Sequence, residues 1–207
     1  MIFNFQVLVS IFALALVTSS GAYAADYELD SEHTNINFDI DHLMISTVKG
    51  RFKDFSGKFI LDDKTQKPTS VNATIVAKSL DTSEAKRDEH LRSKDFFEVE
   101  KFKDLTFAST EIKFDNGNKG IMKGNLTIHG ITKPVTWAVE FRGTAKDPWG
   151  NEKAALKATT TINRKDFGLT WNKALELGGV LVGEDVRIEV NAEGNKTSAS
   201  PKTASKK

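Results

Sequence analysis

The sequence predicts an all-β fold: an eight-stranded antiparallel barrel with one short helix at its rim. Three observations lead there. Apolar residues recur with a period of two through eight separate segments. Clusters of Gly, Pro, Asn and Asp separate most of these segments at short intervals. Only one stretch, Ser79 to Phe97, has helical character. A meander of eight alternating strands must hide its edges, and closing into a barrel does so completely.

The first strand starts at Asn35, with Ile36, Phe38 and Ile40 on one face and Asn35, Asn37, Asp39 and Asp41 on the other. In the second, Val48, Gly50 and Phe52 point inward. Phe55, Gly57, Phe59 and Leu61 keep the period in the opposite parity, so a bulge near Lys53-Asp54 is needed to restore register. After the polar turn Asp62 to Pro68, a third strand turns Val71, Ala73, Ile75 and Ala77 inward.

Asp81 followed by Glu84 resembles a capping box opening a helix of about three turns. Asp88 with Arg92, and Glu84 with Arg87, stand at helical pair spacings. With only Ala85 and Leu91 apolar, this helix belongs on a surface or rim, turning Arg87, His90, Leu91 and Lys94 to one side, and Phe96-Phe97 anchors its far end.

Leu105, Phe107, Ile112 and Phe114 form the fourth strand, closed by Asp115-Asn116-Gly117-Asn118, a hairpin signal. The fifth turns Met122, Gly124, Leu126 and Ile128 to one face, and His129-Gly130 reverses the chain. The sixth carries Val135, Trp137, Val139 and Phe141, and Asp147-Pro148-Trp149-Gly150 is the next turn. Ala154, Leu156, Ala158, Thr160 and Ile162 define the seventh strand. The eighth, after the Gly-rich segment Leu177 to Gly183, has Val186, Ile188, Val190 and Ala192.

An eight-stranded barrel is just filled by its side chains, or holds one small ligand if they are trimmed. Gly50, Gly57, Ala73, Ala77, Gly124, Ala154 and Ala158 are trimmed inward positions. Strands of about 11 residues at about 3.3 Å each span about 35 Å, so spare volume here forms a tube suited to a long apolar chain. The alternative is that these small residues mark tight strand crossings and the interior is solid.

Residues 1–25 carry no charge, and an apolar run, Val7 to Val17, precedes Ala22-Tyr23-Ala24, a small-x-small cleavage pattern. This reads as a secretory signal over residues 1–24, although its n-region lacks the usual Lys or Arg. The run is shorter than the roughly 20 residues of a membrane-spanning helix. The expected domain covers residues 25–194, followed by a disordered tail over 195–207 with four Lys and no acid. Removing those four charges from the net +1 of the chain leaves −3, without the concentrated basic face that a nucleic-acid partner requires. The tail has the charge for peripheral contact with anionic lipid head groups, or is simply a solvated end.

With no Cys, disulfides and thiolate chemistry are excluded. The four His show no ligand spacing. Asp88 and His90 are the one compact pair, too few for a metal site, so no metal is expected. No G-x-S-x-G motif or phosphate-cradling Gly loop occurs, and no carboxylate stands isolated in an apolar run. Catalytic residues are therefore not expected.

The string from Ser79 to Phe97, S-L-D-T-x-x-x-x-R-D-x-H-L-R-S-x-D-F-F, resembles the signature of the YceI family, the lipocalin-like polyisoprenoid-binding proteins of bacterial periplasms. His33 to His42, Gly124 to Pro134 and Thr161 to Gly168 resemble three further blocks, and together the likeness covers residues 27 to 193. It implies a lipocalin-like barrel in the periplasm that binds a polyisoprenoid or quinone-like lipid, tail inside and head at the mouth, with no other cofactor. A monomer or homodimer is expected. Inward parity selects Phe38, Phe52, Phe59, Phe107, Leu126, Ile128, Trp137, Phe141, Ile162 and Phe167 as the lining. Arg87, Asp88, His90 and Arg164 are the head-group candidates, because charge-assisted donors at a rim meet a phosphate or carbonyl; the alternative pairs Arg87 with Asp88 and Arg164 with Asp166. Two other readings stay open: an enzyme acting on such a lipid, or a module docking a membrane redox partner.

Overall fold

The first strand lies upstream of the expected start. In the computed structural model, which describes residues 24–176 and 178–197, β1 (Ala24–Leu29) precedes the expected start by eleven residues. Its sequence, Ala-Ala-Asp-Tyr-Glu-Leu, alternates over a short span, with Ala25, Tyr27 and Leu29 packed on the core and one of them fully buried. That residue, Tyr27, stacks on Phe59 at 5.3 Å between ring centroids.

The eleven strands build eight barrel staves, three of them interrupted. β1 and β2 (Asn35–His42) are two halves of one stave. So are β3 (Ser46–Phe52) and β4 (Phe55–Asp62), and likewise β5 (Pro68–Val76) and the short β6 (Leu80–Asp81). The antiparallel hairpin is accordingly paired in two pieces, β1 with β4 and β2 with β3. The parity change at Lys53-Asp54 is a full break rather than a bulge. Lys53 N donates to Ser79 O at 3.2 Å, and Val76 N donates to Asp54 O at 2.9 Å, so the two breaks stitch each other. Ala77–Ser79 forms a 3₁₀ turn between β5 and β6.

β7 (Asp104–Phe114), β8 (Lys119–Ile128), β9 (Ile131–Lys146), β10 (Glu152–Asn163) and β11 (Val182–Lys196) complete the meander, each antiparallel to the next. A register shift at Ser109/Glu111 leaves Thr110 unpaired, which explains why Phe107 and Ile112 face inward despite opposite parity. The β8–β9 connection is a two-residue turn, His129 at φ 52° and Gly130 at φ 74°, the left-handed pair of a type I′ hairpin. Closure falls to β11, which pairs with β2 through Val182–Asn191 and with β1 through Gly194–Lys196. Asn195 and Lys196 are thus strand residues rather than tail, and Thr197 N still donates to Asp26 O at 2.9 Å. The expected signal lies outside the described residues except for Ala24, and the rest of the expected tail, 198–207, lies outside them too.

The single helix, α1 (Ala85–Arg92), is two turns long and starts later than the capping-box pattern suggested. Glu84 is the N-cap, its carboxylate accepting from Lys86 N and Arg87 N, while Asp81 belongs to β6 and pairs with Lys53 at 2.9 Å. The expected Asp88–Arg92 pair does not form. Arg92 donates to the carbonyls of Lys78 and Leu80, tying the helix to the interrupted stave, and Asp88 turns to Thr82.

The interior is unevenly filled. At the end remote from α1, Tyr27, Phe59, Phe107, Leu126, Trp137 and Phe141 make a solid core, and Lys67 caps it with its ammonium 5.5 and 5.3 Å from the ring centroids of Phe114 and Phe141. The small inward residues here do not leave a channel. A Cβ on Gly124 would stand 2.5 Å from the Phe107 ring, and one on Gly194 2.6 Å from the Phe59 ring. Each glycine is where an aromatic ring lies down, from the neighbouring stave at Gly124 and from across β1 at Gly194. The expected 35 Å tube is therefore replaced by a packed half and an open half.

Candidate functional site

The open half holds a cavity of about 380 Å³ at the α1 end of the barrel. Its walls come from the inward residues of the staves: Ile36, Phe38, Ile40 and His42 of β2, Val48 and Phe52 of β3, and Val182, Val186 and Ile188 of β11. Leu105 of β7, Ile128 of β8 and Ile162 of β10 complete the walls. Phe96, Phe97, Phe167, Leu169 and Trp171 close it from the connections above. Of the ten lining residues expected from parity, Phe38, Phe52, Ile128, Ile162 and Phe167 line this space. Phe59, Phe107, Leu126, Trp137 and Phe141 do not; they face inward as expected but belong to the solid half. Period two distinguishes inside from outside and is blind to position along the barrel axis.

Aromatic side chains order the mouth. His90 packs edge-on against Phe96 and Trp171, at 5.1 and 4.8 Å, and its Nε2 lies 3.1 Å from Asp95 Oδ2. Phe97 meets Phe52 edge to face at 6.1 Å, so the Phe-Phe pair after α1 fastens the helix to both wall and roof. Leu91 adds the helix's apolar contact, whereas Lys94 is exposed and plays no part in the lining.

Asp88 is buried, and its Oδ1 accepts from Thr82 N at 2.9 Å and Thr82 Oγ1 at 2.5 Å. The Thr82 hydroxyl accepts in turn from Arg87 Nε at 2.7 Å, and Thr82 O accepts from Arg87 Nη2 at 2.8 Å. The chain Asp88 to Thr82 to Arg87 holds the guanidinium at the mouth. Asp88 itself is absent from the lining, so the expected quartet resolves into three lining residues, Arg87, His90 and Arg164, and one support. Asp88 and His90 point to different partners and share no ligand position.

Arg164 sits in the 3₁₀ turn Arg164–Phe167, after β10, and is 3% exposed. Nε donates to Gly183 O at 2.8 Å and Nη1 donates to Leu169 O, which ties the turn to β11 and to the roof. Nη2 is buried with no hydrogen-bond partner among the described residues. Asp166 does not pair with it, and burial pushes the guanidinium pKa down from its ordinary value, opposed by the charge of Glu184. Lys86, which was not among the expected head-group residues, also lines the mouth. Asp41, the one carboxylate in the lining, accepts from Arg187 Nη2 at 2.8 Å, and that hydrogen bond holds its pKa below the usual value.

Outside the cavity, Asp30, His33 and Glu193 bring three metal-type ligand atoms within 4.8 Å of one another. Lys153 already neutralises them, its Nζ 2.9 Å from Asp30 Oδ2 and 3.3 Å from Glu193 Oε1. That hydrogen bond, with a second from His33, holds Asp30 well below the carboxylate range. The cluster clasps the break between β1 and β2 to β11.

Comparison with known proteins follows the same outline. The YceI-like domain profile matches residues 27–194. A UPF0312 protein of Enterobacter sp. (strain 638) is 44% identical over 181 residues, covering 86% of this chain and 91% of that protein. Protein YceI of Salmonella agona is 42% identical over 185 residues, covering 88% and 93%. Among solved structures, the Campylobacter jejuni YceI protein is 34% identical with a TM-score of 0.66, covering 76% of this chain and 90% of that one. A polyisoprenoid binding domain from Saccharophagus degradans shares the fold at 14% identity and a TM-score of 0.60, covering 83% and 98%. The profile, the identities and the closed eight-stave barrel agree: this chain belongs to the YceI family.

Proposed function

We propose that this protein binds an apolar lipid of the polyisoprenoid or isoprenoid-quinone class in the cavity beneath α1 and carries it in the periplasm. The cavity carries this reading: about 380 Å³ of space, walled by aliphatic and aromatic side chains, with its polar groups gathered at one end. Sites of this kind, mostly apolar with a few convergent polar groups, are the usual form of small-molecule pockets, about 300–1,000 Å³ in size. The printed name of the Saccharophagus degradans domain supports the ligand class. Binding is favoured over catalysis because the walls are apolar and the one carboxylate of the lining is engaged with Arg187.

The β2–β3 hairpin supports delivery from a bilayer. Its tip is a turn with Leu43 at φ 53° and Met44 at φ 61°, left-handed positions that favour Asn and Gly. Here they carry large apolar side chains, with Ile45 beside them 85% exposed. The neighbouring residues His42 and Leu181 line the cavity, so the apolar tip stands at its mouth.

Expression of the whole chain in a bacterial host tests the proposal. Protein from the periplasmic fraction should begin at Ala25 or Asp26 and yield an apolar lipid on organic extraction, identified by mass spectrometry. Adding that lipid back to stripped protein should raise the Tm, as binding to the native state alone requires. Absence of extractable lipid together with an unchanged Tm would refute the carrier reading.

A further inference from the structure

The lining of the cavity is unbalanced in charge. Lys86, Arg87 and Arg164 all contribute to it, and none has a carboxylate partner among the described residues; the donors assigned to the two guanidinium groups go to Thr82, Gly183 and Leu169. Asp41, the only acid among the lining residues, is occupied by Arg187. Arg164 is the sharpest case, a cation 3% exposed whose third nitrogen, Nη2, is left without a partner. Removing a charge from water is expensive unless an opposite charge or further hydrogen bonds compensate; the two carbonyls do so only in part, and Glu184, whose charge acts on Arg164 without a direct ion pair, is bonded to Lys165. A planar guanidinium is also the group best matched to a bidentate oxyanion.

We propose that the ligand of this cavity is an amphiphile with an acidic head, a carboxylate or phosphate, seated on Arg164 with Arg87 and Lys86 around it, rather than a neutral alcohol, ester or quinone. This rests on the lipid-binding reading and narrows it to a head-group class. Arg87 and Lys86 enclose the head from α1, while Arg164 faces it from the turn after β10. The apolar chain then runs along β2 and β11, past Phe38 and Ile188.

The test compares head groups on one chain. Stripped wild-type protein is titrated by calorimetry with palmitate, hexadecyl phosphate, hexadecanol and methyl palmitate at pH 7.5. One or both acids should bind at least about tenfold tighter than the alcohol and the ester, and the acid that does so names the source of the head group. Arg164→Met should bring that ratio to about one. Because that variant also loses the bonds to Gly183 and Leu169, Arg87→Met is measured beside it and should lower the ratio without unfolding the protein. Equal affinity for acids and neutral lipids in the wild type overturns the inference while leaving lipid binding intact, as does an unchanged ratio in a folded Arg164→Met. Failure of all four probes to bind overturns the lipid reading itself.

Discussion

Replacing Gly124 by Leu separates a hollow barrel from a half-filled one. In a continuous tube the added side chain would enter ligand space and leave stability unchanged. Here the first added carbon already meets the Phe107 ring and the carbonyl oxygen of Ala108, each at 2.5 Å. Phe107 cannot withdraw freely, because it lies edge to face against Trp137 at 5.6 Å and both residues are buried. The carbonyl of Ala108 belongs to the β7–β8 ladder, so moving it costs backbone pairing. Overpacking of this sort costs about 1–3 kcal/mol. For a domain of this size that corresponds to a fall in Tm of about 2–12 °C. Ile188→Phe is the matched control, since Ile188 lines the cavity opposite Phe38 and its extra volume has somewhere to go. Thermal unfolding followed by circular dichroism, with titration of a fluorescent fatty acid, should show Gly124→Leu destabilised and Ile188→Phe stable but weakened in binding. A Gly124→Leu protein that melts like the wild type yet no longer binds the probe would refute the division into packed and open halves.

The remaining predictions concern the lid, the tip and the response to pH. Asp88→Ala leaves the buried Thr82 donors unpaired and releases Arg87, so it should cost about 1–3 kcal/mol and speed hydrogen exchange across 82–92; unchanged exchange would remove Asp88 from its supporting role. Ile45→Glu, at a site 85% exposed, should shift stability by no more than about 0.5 kcal/mol yet reduce sedimentation with phospholipid vesicles. Full vesicle binding by that variant would dismiss the tip as a membrane contact. Acid should weaken the fold through Asp81 and Glu111. Hydrogen bonds from Lys53 to Asp81 and from Lys113 to Glu111 lower each to about 2, so their stabilisation is complete above the unfolded values near 4 and is lost as pH falls towards 2. Asp81→Asn should flatten that part of the Tm profile. His33 runs the other way. Its hydrogen bond to Asp30 raises its pKa, so its contribution is full below the unfolded value and fades as pH rises through the folded one; His33→Gln should remove this alkaline loss.

Side-chain period and turn chemistry were enough to specify the class of fold. Eight alternating segments, Asn116-Gly117 and His129-Gly130 at hairpin ends, and one polar stretch with helical pairs left few ways to bury the apolar face except a closed meander with a helix outside it. The inward parity of Trp137, Phe141, Leu126 and their neighbours was legible for the same reason, because a strand exposes its two faces alternately. Three things were decided only in three dimensions. β1 was missed because its alternation, Ala25, Tyr27 and Leu29, is short and directly follows the segment read as a secretory signal, and it is held by closure against β4 and β11. The depth of the cavity depends on where rings lie across the barrel, a cross-strand relation set by register: Phe107 over Gly124 helps fill one end, while at the other Phe38 and Phe52 of the staves line the space and Phe96, Phe97 and Phe167 roof it from connections. The roles of the charged residues were settled by burial. Asp88 and Arg164 look alike in sequence, as charges beside opposite charges, yet one is a satisfied support inside the helix start and the other a cation enclosed among apolar walls. Linear spacing specifies neighbours along the chain, whereas desolvation and pairing depend on what the closed barrel brings around each group.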